Sequence, residues 1–156
     1  MNQSIHIHPN EDSQTFSDMR ENQLRHSPYA VIRQLFEYVK TGDVEGVRNF
    51  QQELEGQTLY LGSMSKDPLM QAKYMAATTA STLTYIGVEN GFPDEYAYSI
   101  AVLFIQEIDR MDDPESILAR LHEHVIYFTE LMKQKLQNRV PRVRILLPLP
   151  HFPRKL

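Results

Sequence analysis

The chain has 156 residues, 42% apolar and 23% charged, a balance typical of one folded domain and far from the low-hydrophobicity, high-charge composition of disorder. It contains no cysteine, which excludes disulfides, thiolate zinc sites, iron–sulfur clusters and cysteine nucleophiles. The 16 basic and 20 acidic residues are unevenly spread: Arg139, Arg142, Arg144, Arg154 and Lys155 lie at the end with no acid among them, leaving 11 basic against 20 acidic residues in 1–138, a net −9 that repels a phosphate backbone.

Residues 1–26 are polar and aperiodic, the expected pattern of a flexible arm. Their start lacks a basic segment followed by an apolar run, and no apolar stretch in the chain nears the roughly 20 residues of a membrane span, so the expected location is cytoplasmic, with no membrane partner.

Ser27-Pro28 opens a first helix, serine as cap and proline at the first helical position. Ile32, Leu35, Phe36 and Val39 recur at helical spacing until Thr41-Gly42-Asp43 supplies a stop and a new cap. A second helix carries Val44, Val47, Phe50 and Leu54, giving two short antiparallel helices. The segment from Gly56 to Lys66 breaks the pattern but offers Leu59, Tyr60, Leu61 and Met64 to the core.

Asp67-Pro68 starts a third helix that nothing stops before Gly91. Its middle, Ala76 to Thr82, is made of small residues, which points to a central helix packed on more than one side. Gly91-Phe92-Pro93-Asp94-Glu95 is an end, a turn and a start with acids at the favourable helix terminus. The fourth helix then places Ala97, Ile100, Ala101, Phe104 and Ile108 on one face, and Asp112-Asp113-Pro114-Glu115 opens a fifth bearing Ile117, Leu121, Val125, Phe128 and Met132.

From Val140, four prolines (141, 148, 150 and 153) interrupt any helix. The expected fold is therefore all-α: one compact bundle of about five helices over 27–138, preceded by the flexible arm 1–26 and followed by an irregular, Pro-rich basic tail, 139–156.

Three phrases, Asp67 to Tyr74, Thr79 to Leu83 and Glu89 to Ser99, with Ile105-Gln106, Pro114 to Ile117 and Phe128 to Glu130 after them and Ser27 to Tyr29 and Thr41 to Asp43 before, resemble the N-terminal helical region of AraC-type transcription regulators of Gram-positive bacteria. There a "DPLRQAKY" element, a helix ending "TLATRAAIEGG" and an "EEAYSLSDxYIQ" helix follow in this order. The resemblance covers roughly 27 to 138. Thr84 to Gly87 stands where the family has a basic, alanine-rich stretch, and Ile100-Ala101-Val102 replaces a more polar Leu-Ser-Asp.

In that family the region precedes a DNA-binding domain of two helix-turn-helix units. Only 18 residues follow Asn138 here, and charge, proline content and periodicity all change there. The resemblance thus implies a signal-sensing or self-association region, truncated or shifted out of frame, reaching DNA only through a missing C-terminal domain. Its implied partners are a second copy or an intact regulator, which it could inhibit by heterodimerisation; no residue pattern specifies a small-molecule effector. The alternative is a helical protein–protein interaction module with no transcriptional role.

No motif points to an enzyme. There is no Gly-x-Ser-x-Gly elbow, no phosphate-binding glycine loop and no Glu-x-x-His pair for a di-iron bundle, so no catalytic, cofactor or metal residue is assigned. His6 and His8 sit in an unorganised arm. His122 and His124 are two apart, which puts them on different helix faces and is read as two exposed histidines. Asp94-Glu95, Asp112-Asp113, Glu53 and Glu55 are explained by helix ends. Tyr74, Tyr85, Tyr96, Tyr98 and Tyr127 remain as candidate pocket-lining residues, apolar rings with a polar tip; the competing reading places them at the core rim with hydroxyls in water. Met64, Met70, Met75, Met111 and Met132 read as core fillers.

Overall fold

Local start and stop signals set out the helices in the computed structural model, which describes residues 29–54 and 61–137. Helix α1 runs Tyr29–Thr41, α2 Val44–Glu53, α3 Pro68–Glu89, α4 Asp94–Asp109 and α5 Pro114–Leu136. Among the described residues 82% are helical and none is in a strand, so the fold is all-α. The arm, the opening Ser27-Pro28, Leu59 and Tyr60, and the basic tail lie outside the described residues.

Three of the four described starts are aspartate caps. Asp43 accepts from the Gly46 amide, Asp67 from Leu69 and Asp113 from Ser116, while Pro68 and Pro114 occupy the first turn where a missing N–H costs nothing. Pro93 precedes α4 without a side-chain cap, and Asp94 and Glu95 supply negative charge to its first turn.

The segment before α3 is held by one side chain. Gln71 accepts from the amides of Met64 and Ser65 at 2.8 and 2.9 Å and donates to the Gly62 carbonyl at 2.8 Å. This clasp, rather than apolar burial, orders the segment: Leu61 is half-buried but Met64 is 38% exposed, contrary to its expected place in the core. Replacing Gln71 with Ala is expected to cost about 1–2 kcal/mol and to accelerate amide exchange at Met64 and Ser65; unchanged protection there would contradict the clasp.

The apolar stripes mesh much as their spacing implies. Leu35 and Val39 of α1, Val47 and Phe50 of α2, and Ile117, Leu121, Val125, Phe128 and Met132 of α5 are all buried. On α3 and α4 the buried sets include the small residues Ala72, Ala76 and Ala80, and Ala97 and Ala101, which let this pair pack closely. Lys73 of α3 donates to the last α4 carbonyl, Asp109 O, at 2.6 Å, placing a cation where the helix dipole favours one.

The hub is α5, not α3. The α1–α2 pair and the α3–α4 pair both pack on α5, whereas the main contacts of α3 are with α4 and α5. Small residues let α3 pack on two sides, against α4 and α5, as its composition implied; the space between the two helix pairs is filled by α5, which carries large side chains, Phe128 and Met132 among them. Gln51 of α2 donates to the His122 carbonyl at 3.2 Å, and Arg48 lies 3.7 Å from Glu130, both tying α2 to the hub.

Candidate functional site

Helices α4 and α5 pack lightly, and polar and aromatic side chains bridge the gap between them. Phe104 and Glu107 come from successive turns of α4, Arg120 and His124 from successive turns of α5. Arg120 grips Glu107 bidentately, Nε to Oε1 at 2.7 Å and Nη2 to Oε2 at 2.9 Å, with Nη1 3.6 Å from Glu123. Its guanidinium lies 5.7 Å from the Phe104 ring centre, within cation–π range. The His124 ring stacks on Phe104, centroids 3.8 Å apart and planes within 6°.

The two expected exposed histidines are therefore not exposed. His124 retains 3% of its surface and His122 is half-buried. Residue 124 falls three after Leu121 and four before Phe128, inside the apolar stripe, so one histidine of a pair spaced by two had to face inward. The buried face is accordingly less apolar than the sequence implied. Thr84 and Thr129 are also inside, each satisfied by donating to the carbonyl four residues back, Ala80 and Val125.

Electrostatics follow from this geometry. Burial, reinforced by the Arg120 charge and opposed by Glu107, pushes His124 down to about 4, and burial lowers His122 as well. The hydrogen bond from Arg120 holds the Glu107 carboxyl below its ordinary value, and the same pair raises Arg120. At neutral pH the seam holds a neutral imidazole beside a paired carboxylate, neither titrating near 7, where a general acid or base is most effective. What the arrangement does is latch α4 to α5 and respond to acid.

Of the five tyrosines, the structure brings Tyr96 and Tyr127 together on this seam. Burial and then the neighbouring Tyr127 phenol raise Tyr96 above its usual value. Phe92 meets Tyr96 edge-on at 5.6 Å and Phe128 at 5.6 Å, and Tyr127 lies 6.4 Å from His124. Tyr127 is itself 47% exposed; Tyr74, Tyr85 and Tyr98, at 43%, 66% and 58%, differ in making no ring contact to this cluster among the described residues. An open depression on α4 is lined by Ile105, Gln106, Asp109 and Arg110.

Sequence reasoning missed Glu107, Arg120 and the Phe104–His124 stack as one unit. The phase of His124 was a usable signal; the Arg120–Glu107 pair, 13 residues apart across a turn, left none. Among the described residues, no group of three or more His, Cys, Asp and Glu side chains could hold a metal ion, and no helix is long and apolar enough to cross a membrane.

No family model, curated protein or solved structure matches this chain. The class that fold and seam define is an all-α helical bundle with two helix pairs on one hub helix.

Proposed function

We propose that the chain is the regulatory, signal-sensing or self-association region of an AraC-type transcription regulator. The observation that carries this reading is the ordered run of phrases, Asp67 to Tyr74, Thr79 to Leu83 and Glu89 to Ser99, that resembles the helical region of those regulators. Supporting it, these phrases occupy the cap of α3, its middle and the α3–α4 turn, so the resembling segments belong to one structural unit. The −9 charge of 1–138 argues that the body does not grip DNA by itself.

Such a region acts by coupling a signal in the helices to the geometry of a DNA-reading domain or to a partner copy. Co-expressed with an intact regulator carrying the same pattern, the chain is expected to lower that regulator's reporter output severalfold by drawing it into mixed dimers. Alone, it is expected to leave promoter DNA unshifted in a gel. Unchanged reporter output would remove the self-association half of the reading, and a specific promoter shift by this chain would remove its dependence on another DNA-reading domain.

A further inference from the structure

Among the described residues, one face of α4 has no neighbour. Ala97, Ala101, Phe104 and Ile108 point into the bundle, and at about 100° per residue the opposite side carries Glu95, Ser99, Val102, Leu103, Gln106 and Arg110. Ser99 is half-buried and the other five are exposed, with Val102 at 46% and Leu103 at 45%. Arg110 belongs to the strip because, as the C-cap of α4, its backbone keeps the right-handed helical conformation. Side-by-side exposed aliphatic residues in the middle of a helix face form an apolar patch that a partner can desolvate.

The strip is symmetric about its middle. Outward from the Val102-Leu103 pair come Ser99 and Gln106, each three residues away, and then Glu95 and Arg110, each four further on. An acid thus ends one side and a base the other. Neither Glu95 nor Arg110 makes an ion pair among the described residues.

From this geometry we infer that the outer face of α4 is an isologous docking surface for a second copy of this chain, the two α4 helices lying antiparallel. A two-fold axis between Val102 and Leu103 sets Val102 of one copy against Leu103 of the other, and Glu95 against Arg110 at both ends. Asp94 and Asp109, at the margins, then oppose Met111 and Tyr96 rather than carboxylates. The antiparallel arrangement also brings each helix's positive N-terminal end beside the other's negative C-terminal end. The inference rests on the self-association half of the proposed function and supplies its surface. A strip this narrow, about 22 Å long, gives a weak, concentration-dependent dimer rather than an obligate one.

The full chain is tested by light scattering after size exclusion and by sedimentation. Expected is a mass rising toward that of two chains with concentration. Joint substitution Val102→Lys and Leu103→Lys should abolish the dimer, while Glu95→Arg should weaken it at least about tenfold, since symmetry counts each change twice. Glu95→Arg combined with Arg110→Glu should restore most of the loss, a rescue that general surface damage would not produce. Unchanged melting of each variant by circular dichroism shows that the monomer still folds. A dimer indifferent to all these substitutions overturns this face and leaves self-association standing elsewhere. A strict monomer at the highest soluble concentration overturns both the face and the self-association reading, leaving signal sensing.

Discussion

Acidification from pH 7 to about 4 is expected to destabilise the folded chain by about 3 kcal/mol through His124 alone. The unfolded imidazole titrates near 6.5, whereas in the bundle burial pushes it down to about 4. Between those values the unfolded chain holds a proton on residue 124 that the folded chain does not. Protons therefore favour unfolding across that window, and stability is full above about 6.5 and declines as pH falls toward 4. Folded and unfolded states bind the proton equally below that point, so this contribution then levels off. His122, also lowered by burial, acts in the same direction.

The carboxylates add a second, lower step. Arg120 holds Glu107 below its ordinary value and Ser116 does the same for Asp113, so their contributions are present at neutral pH and are lost as acid neutralises them below the usual carboxylate range. His124→Met separates the two steps. Methionine nearly conserves volume and keeps a favourable contact with the Phe104 ring while removing the titrating group. Denaturant unfolding of this variant should keep, from pH 7 to 5, only the part of the decline that His122 contributes, and fall further with the carboxylates. A wild-type chain equally stable at pH 7 and 5, or a His124→Met variant that keeps the full slope, would show that the imidazole is not the acid-sensitive element.

The difference between what was legible in the sequence and what was not is one of range. Asp67-Pro68, Asp113-Pro114, Gly42-Asp43 and Gly91 to Asp94 all act within three or four residues, so their bonds can be read directly from the chain, and each sits at a helix boundary. The stripe of α5 was equally readable because its period repeats over about four turns. The small residues of α3 rightly pointed to packing on two sides, but not to α5 as the helix that both pairs share, since composition does not say which neighbours meet. The latch at the α4–α5 seam escaped for the same reason: Arg120 and Glu107 meet only after the chain reverses. Tyr96 and Tyr127 were in the tyrosine set, yet nothing local distinguished them from Tyr85 and Tyr98.

Gly42→Ala is expected to cost about 3 kcal/mol, well beyond what a left-handed backbone alone explains. Helix α1 ends in a Schellman turn: the Gly42 amide donates to Val39 O at 3.0 Å and the Asp43 amide to Tyr38 O at 2.8 Å, with Gly42 at φ 68°. The same turn ends α3, where Gly91 donates to Val88 O at 3.0 Å and Phe92 to Gly87 O at 2.9 Å, with Gly91 at φ 90°. The two glycines differ in what lies beyond them. A methyl at 91 would meet only the end of the Lys135 side chain, at 3.4 Å, which can swing away. A methyl at 42 would sit 2.6 Å from Cα and 2.7 Å from N of Lys133, the backbone of the hub helix itself. That contact can be relieved only by moving the α1–α2 pair off α5, which loosens the packing over Val39 and Val47, both fully buried. Gly91→Ala therefore isolates the conformational cost, about 1–2 kcal/mol, and the excess at Gly42 measures how closely the turn is pressed onto α5. Equal losses for the two variants in chemical denaturation would mean that the α1–α2 pair yields freely and that the hub is not gripped from that side.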